Sequence, residues 1–178
     1  MDKIQYKKLT DYEISREMFN GFIRRQVVTK CWRKENDEWV IKDDPFIDDW
    51  DEKDYDILIG CLKNTIYKNG LVYAALCEGR IRGFVSVESA IFGGEYKYMD
   101  LTSIHVSENM RNRGIGSALF KKAKEWAKSR GAEHLYISAH SAVESQAFYK
   151  RMGCVEATIY CKKHVEEEPY DCQLECKL

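Results

Sequence analysis

The stretch Tyr98-Met99-Asp100-Leu101-Thr102-Ser103-Ile104-His105-Val106-Ser107-Glu108-Asn109-Met110-Arg111-Asn112-Arg113-Gly114-Ile115-Gly116-Ser117 decides how the rest of the chain is read. Its first nine residues form an apolar-leaning run of strand length. A basic turn with two glycines follows. Beyond it, Leu119, Ala123, Trp126 and Ala127 recur at helical spacing as far as Arg130, and Gly131 stands where a helix commonly stops. Strand 98–106, a tight turn and helix 117–130 are therefore predicted in immediate succession.

Such a turn suits a phosphate-rich ligand. A helix N-terminus carries unpaired N–H groups and the positive end of the helix dipole. Gly114 and Gly116 lack a Cβ, so the backbone can approach a ligand closely, and Arg111 and Arg113 add charge beside it. Between residues 107 and 131 there are seven Lys and Arg against two Asp and Glu. Each charge-assisted hydrogen bond contributes roughly 1.5–3 kcal/mol, so several converging on one pyrophosphate make a site. The dinucleotide fingerprint is excluded, because its third glycine position holds Leu119. The Walker loop is excluded because Ser117 follows Gly116 with no lysine between. On these residues alone, a plain surface turn before a basic helix stays open as the alternative.

With its surroundings, the stretch resembles the GNAT superfamily of acyl-coenzyme A-dependent N-acetyltransferases. The signature Q/R-x-x-G-x-G/A is matched by Arg111, Gly114 and Gly116, and the strand end L-x-V by Ile104-His105-Val106. The later helix ending F-Y-x-x-x-G is matched by Phe148, Tyr149 and Gly153. The resemblance covers residues 98–153 and implies an α/β (α+β) fold. Its central sheet is mixed and mostly antiparallel, flanked by helices, with splayed central strands forming the acyl-coenzyme A cleft. It also implies acetyl-coenzyme A as co-substrate, held by Ile104, His105, Val106, Arg111, Asn112, Arg113, Gly114, Ile115, Gly116, Ser117, Ser145 and Phe148. In the family the pantetheine arm pairs like an extra strand with the backbone matching Ile104 to Val106. One departure stands out: many relatives carry Asn where this chain has Ala142, which leaves that cofactor contact to Ser141 or Ser145.

Amide synthesis from a thioester needs a neutral amine, and an alkyl ammonium of pKa roughly 10 must first lose a proton. The resemblance points to Asp100 as the carboxylate that takes it, with Glu88, Glu95 or water as alternatives and a strand-end or anchoring role as the plain one. Tyr149 is implied as the general acid near the departing sulfur, or else as a packing residue. The four histidines show no catalytic grouping in the sequence. No cysteine falls within the two motif blocks, so a covalent acyl-cysteine route is not expected. Neither C-x-x-C nor a zinc-finger His spacing occurs, so no metal is expected and the seven cysteines read as thiols.

From residue 35 to residue 56 there are eleven acidic side chains against two basic ones, interleaved with Trp39, Phe46 and Trp50. Trp39, Asp43, Asp44, Phe46 and Trp50 are therefore expected to recognise a cationic acceptor amine such as a polyamine, aminoglycoside or streptothricin-like molecule. A solvated acidic loop anchored by tryptophans is the bland alternative. Two other functions remain on the sequence alone: a non-catalytic acyl-coenzyme A-binding module and a protein or peptide acetyltransferase.

Outward from the organising stretch, residues 4–9 read as a strand. Thr10 and Glu13 form a capping box ahead of a helix to about Gln26. Residues 27–50 read as irregular. A helix is expected from Asp51 to Asn69-Gly70, strands at 71–77 and 81–90, a strand at 134–139, a helix at 143–152, and strands at 155–160 and 171–178. A length of 178 residues suits one well-filled domain over 1–178. The net charge of −1 argues for neither nucleic acid nor an anionic membrane. With no apolar leader at the N-terminus and no run of membrane-spanning length, the expectation is a cytoplasmic monomer or homodimer acting on a small molecule.

Overall fold

The computed structural model describes residues 3–178; Met1 and Asp2 of the charged N-terminal stretch lie outside the described residues. The strands are β1 (Gln5–Lys8), β2 (Arg25–Glu35), β3 (Glu38–Asp49), β4 (Leu71–Cys77), β5 (Arg80–Phe92), β6 (Tyr98–Val106), β7 (His134–Ala139), β8 (Val155–Glu156) and β9 (Cys172–Lys177). The α-helices are α1 (Glu52–Tyr67), α2 (Ile115–Ser129), α3 (Val143–Arg151) and α4 (Lys162–Glu167). Seven strands form one sheet in the order β1-β4-β5-β6-β7-β9-β8, and β2 with β3 forms a separate ribbon. Every pairing in the large sheet is antiparallel except β6 with β7.

The parallel pair is short. Tyr98, Met99 and Asp100 face His134, Leu135 and Tyr136, and the ladder then stops. Strand β6 continues to Val106 along β5, and β7 continues to Ala139 along β9. The two central strands therefore part company after Asp100 and leave a wedge between them. Thr102 adds to this: the β5–β6 register slips between Ser86 and Val87, so Thr102 bulges and its hydroxyl lies 2.8 Å from that of Ser86.

Both faces of the sheet are covered, which explains why β4 reads apolar on both sides. On one face α2 buries Leu119, Phe120, Ala123 and Ala127 against Val85, Val87, Leu101 and Leu135. On the other, Tyr55, Leu58 and Leu62 of α1 meet Val72, Ala74 and Phe84. Asp51 starts α1 by accepting from the amides of Lys53 and Asp54 at 2.8 and 3.1 Å.

Three expectations are corrected. Residues 10–26 do not form one helix. The capping box at Thr10 opens a single 3-10 turn (Asp11–Glu13), a second follows (Arg16–Phe19), and Gly21 at φ +76° breaks the run. The apolar spacing was real, since Ile14, Phe19 and Phe22 are buried, but the turns already satisfy it. Residues 27–50 are not irregular: β2 and β3 make a long hairpin that turns at Asn36 and Asp37, both at positive φ. A register slip between Val28 and Lys30 blurs the alternation that would have announced it. The strand expected at 155–160 is only two residues long, and α4 follows it.

Gly83 on β5 lies beneath the first turn of α2. A Cβ there would sit 2.9 Å from Ile115 Cγ2 and 3.3 Å from the His105 carbonyl oxygen. Gly83→Ala is expected to cost about 1–3 kcal/mol by overpacking, measured as a lower urea midpoint at unchanged slope. A midpoint equal to wild type would show that α2 can lift off the sheet freely.

Candidate active site

The wedge between β6 and β7 opens into a cleft of about 950 Å³. Its two ends are chemically opposite.

The first end is the turn from β6 into α2. Ser107 is fully buried and ties this turn down: its N–H donates to the Arg82 carbonyl (2.9 Å) and its hydroxyl accepts from the Ile23 amide (2.9 Å). Glu108 N–H donates to the Ile23 carbonyl at 2.8 Å. Gly114 sits at φ +78° as the N-cap of α2, a backbone state that favours glycine. Its carbonyl accepts from Ala118 N–H at 3.0 Å, which closes the first helical turn. The amides of Ile115, Gly116 and Ser117 belong to that turn and have no intrahelical acceptors. Gly116 also lets α3 come close, because a Cβ there would lie 3.2 Å from Phe148 Cε2. Asn112, Gly114, Ile115, Gly116, Ser117, Ser145 and Phe148 all line the cleft beside Ile104, His105 and Val106.

The arginines behave differently from expectation. Arg111 lines the cleft, but its guanidinium donates to the carbonyls of Val106 (3.3 Å) and Arg25 (2.7 Å), so it clamps the end of β6 to the start of β2. Arg113 is exposed and is not among the cleft-lining residues. Of the two, Arg111 is thus the one at the cleft, beside the backbone amides of the first turn of α2. Of the two serines considered in place of the missing asparagine, Ser141 is buried and accepts from Arg33 at 2.7 Å, whereas Ser145 lies in the cleft near Gln26 Nε2, 3.4 Å away.

The His105 side chain is packed on its neighbours. Its ring packs against Trp50 (4.9 Å) and Phe84 (5.4 Å), and its Nδ1 accepts from Arg24 Nε at 3.1 Å. Burial, then the neighbouring Arg24 and Arg111, push its pKa down to about 3, so the ring is neutral. Arg24 in turn is ion-paired with Asp48 at 2.5 Å.

The opposite end lies where β6 and β7 still pair. Asp100, Ser138, His164, Glu168 and Asp171 line it. His164 Nε2 stands 2.6 Å from Asp100 Oδ2, and the other Asp100 oxygen is buried without a hydrogen-bond partner among the described residues. The His164 ring stacks on Tyr136, with centroids 5.8 Å apart and planes 17° apart. Tyr136 hydroxyl donates to Gln173 Oε1 (2.5 Å) and accepts from Cys161 N–H (2.8 Å). Gln173 Nε2 donates to Ser138 Oγ at 3.0 Å, whose hydroxyl donates to Asp171 Oδ2 at 3.1 Å. Burial raises the Asp171 pKa, and the hydrogen bond to Asp100 raises that of His164. The sequence shows no catalytic grouping among the histidines. His164 is 64 residues from Asp100, and a helix of six residues carries it there.

Tyr149 also lines the cleft, packed against Phe148 and Phe120, and burial raises its pKa, so it stays protonated. Glu88 and Glu95 are not among the cleft-lining residues; Glu88 accepts from Thr65, and Glu95 is exposed on a turn. None of Trp39, Asp43, Asp44, Phe46 and Trp50 lines the cleft either. Trp39 donates to Glu156 at 3.0 Å, Asp44 pairs with Arg33, Asp43 faces Lys30 at 3.9 Å, and Trp50 packs on Tyr55 and His105. Trp50 and Phe46 stand next to it, with rings 4.9 and 5.6 Å from those of the cleft residues His105 and His140. Five of the acidic side chains of this segment, Glu35, Asp43, Asp44, Asp48 and Glu52, stand in ion pairs with Lys42, Lys30, Arg33, Arg24 and Arg16.

A family model described as the acetyltransferase (GNAT) family matches residues 31–154. No curated protein matches the chain in sequence. Among solved structures, a nourseothricin acetyltransferase is similar at 16% identity and a TM-score of 0.69, covering 98% of each chain. A candidate streptothricin acetyltransferase from Bacillus anthracis str. Ames, solved with acetyl coenzyme A, is similar at 17% identity and a TM-score of 0.70, covering 99% of each. The PaiA N-acetyltransferase from Thermoplasma acidophilum, solved with coenzyme A, reaches 0.60 at 15% identity over 99% of each chain. At these identities the likeness speaks for the fold.

The neutral His105 makes stability pH-dependent. Its folded pKa lies below the unfolded value of roughly 6.5, so the unfolded chain binds the extra proton and stability falls as pH drops below that value. His164 has the opposite shift, and its contribution is already complete below the unfolded pKa. Between pH 6.5 and 5 the expected loss from His105 is about 1–2 kcal/mol, from at most about 1.4 kcal/mol per pH unit. Urea melts across this window should show the slope in wild type and its absence in His105→Gln. An equal slope in both would mean that the ring charges inside the fold.

Proposed function

The chain belongs to the acetyltransferase (GNAT) family, and from that premise we propose that it is an N-acetyltransferase, organised as one domain over residues 1–178. It moves the acetyl group of acetyl-coenzyme A to a primary amine of a small cationic molecule, by direct attack with both substrates bound. The observation that carries this reading is the polarity of the cleft. Free amides of α2 stand at one end, and Asp100, Glu168 and Asp171 stand toward the other. Along β6, from Asp100 to Val106, the two ends are about 20 Å apart. Phosphates suit the first end and an ammonium the second. Streptothricin and nourseothricin, named for two of the similar structures, fit the class of acceptor.

Coenzyme A fits the residues present. The turn at Gly114 offers unpaired amides, and Gly116 leaves room beneath Phe148 that a Cβ would fill. The cofactor would supply an activated thioester, and residues 104–106 of β6, beyond the end of the ladder with β7, would hold its arm. The protein positions that arm, excludes water with Phe148 and Tyr149, and presents carboxylates to the incoming ammonium. Tyr149, which lines the cleft and keeps its proton, would serve as a hydrogen-bond donor to a departing sulfur.

Two outcomes follow. A side chain at Gly114 meets open space but forces a left-handed residue to carry a Cβ, a strain of roughly 1–2 kcal/mol. Gly114→Ala should therefore displace the amides and weaken acetyl-coenzyme A binding about tenfold or more by calorimetry, with the fold intact; unchanged affinity in a folded variant would overturn the pyrophosphate assignment. On the acceptor side, Glu168→Gln and Asp171→Asn together should raise the acceptor KM about tenfold and leave the acetyl-coenzyme A KM alone. The effect should shrink with salt, since screening acts over about 8 Å at physiological ionic strength. A neutral or anionic amine emerging as the best acceptor from a panel of polyamines, aminoglycosides, streptothricin-like amines and amino acids would overturn the reading.

A further inference from the structure

We infer that His164, positioned by Asp100, is the group that takes the proton from the acceptor ammonium; the inference rests on the amine-acetylation reading above. Asp100 faces Nε2 of the ring at 2.6 Å. A carboxylate accepts there, so the neutral imidazole carries its hydrogen on Nε2 and keeps the lone pair on Nδ1. Among the described residues Nδ1 has no hydrogen-bond partner, yet it is not among the buried unpaired atoms. The ring lines the cleft with a fifth of its side chain exposed. It is held from two directions, by Asp100 at one edge and by the Tyr136 face beneath. Tyr136 is itself fixed at its hydroxyl by Gln173 and the Cys161 amide.

Proton affinity favours the imidazole over the carboxylate. An alkyl ammonium has a pKa of roughly 10, against roughly 6.5 for imidazole and 3.9 for an aspartate. Transfer to the ring is thus easier by more than two powers of ten, and a base closer in pKa to its substrate works better. The charged or titrating groups that bear on the ring are Asp100 on β6, Tyr136 on β7, Lys163 and Glu167 on α4, and Asp171 just before β9. Hydrogen bonding by Asp100 raises the ring pKa, which narrows the gap to the ammonium further.

The step balances. Nδ1 takes one proton from the ammonium, and the freed nitrogen lone pair attacks the thioester carbonyl carbon. The C–S bond breaks with its electron pair on sulfur. The second proton lost by the nitrogen goes to that thiolate, and His164 passes its own proton to water.

The test has two arms. In the first, nitrogen-15 NMR of the protein without acceptor should show the Nε2–H tautomer of His164 and a titration above the ordinary imidazole value, which Asp100→Asn lowers. In the second, acetyl transfer to a cationic amine should rise with pH along a limb that Asp100→Asn moves to lower pH. His164→Gln retains a donor for Asp100 but has no titrating nitrogen. It should lower kcat about 100-fold or more at neutral pH, with acetyl-coenzyme A affinity unchanged, and added imidazole should partly restore His164→Ala. The inference is overturned by an Nδ1–H tautomer, by His164→Gln keeping kcat within threefold and the wild-type pH profile, or by no response of His164→Ala to imidazole. A wild type inert toward every amine would instead overturn the amine reading and the base role with it.

Discussion

The structure depends on one ladder that stops early. Strands β6 and β7 pair over three residues and then diverge, leaving backbone N–H and C=O groups on the facing edges without strand partners. In a buried sheet such groups are normally matched, because leaving them unmatched costs free energy. The other edges of these strands compensate. β6 is paired along β5 to Val106, and β7 is paired with β9 over all six of its residues. Tyr98 and Tyr136 pack at 5.3 Å at the apex of the wedge, and both hydroxyls are tied to β9, one to Glu175 and one to Gln173. The wedge is therefore a fixed feature of the core, and its open edges are the surface on which a ligand with alternating amide groups can pair.

The same constraint explains why the turn after β6 is so heavily tied. A strand end with no neighbour on one side has to be positioned by something else. Ser107 is bonded to the backbone at Ile23 and Arg82, and Arg111 reaches back to the carbonyls of Val106 and Arg25. These contacts bring the β2–β3 hairpin against the cleft and set the direction in which α2 leaves. Half-buried Arg111 commits its Nε and one terminal nitrogen to these two carbonyls, so its guanidinium is fixed in place at the edge of the cleft.

The β6–α2 end of the cleft is legible in the sequence because that end is local. Strand, turn and helix occupy consecutive residues, and Gly114, Gly116 and Phe148 mark them by residue type and spacing. Strands β4, β6 and β7 were bounded correctly for the same reason, each lying between clear turn residues. What stayed hidden was non-local. The hairpin at residues 25–49 was masked by its acidic side chains and a register slip, although Asn36-Asp37 was a readable turn. Its charges pointed toward an acceptor site, yet Asp44, Asp48 and Glu35 each meet a nearby Arg or Lys. His164 carried no signal, because nothing in residues 155–170 announces that the chain folds back over Asp100.

That return has a consequence for how the two halves of the cleft respond to change. The half at Gly114 rests on α2, a helix of 15 residues with one face packed into the main core. The acidic half rests partly on α4, whose six residues are far too few to hold a helix in isolation. What keeps α4 in place is tertiary: the Cys161 amide on Tyr136, the His164–Asp100 contact and the stack beneath it. Two exposed i,i+4 pairs, Lys162–Glu166 and Lys163–Glu167, add only a few tenths of a kcal/mol each. The group proposed to take the proton is thus also a principal anchor of the segment that bears it. Loss of the Asp100 contact would loosen the acidic wall and misplace the base together, while the amides of α2, tied through Ser107 and packed through Ile115, would stay where they are.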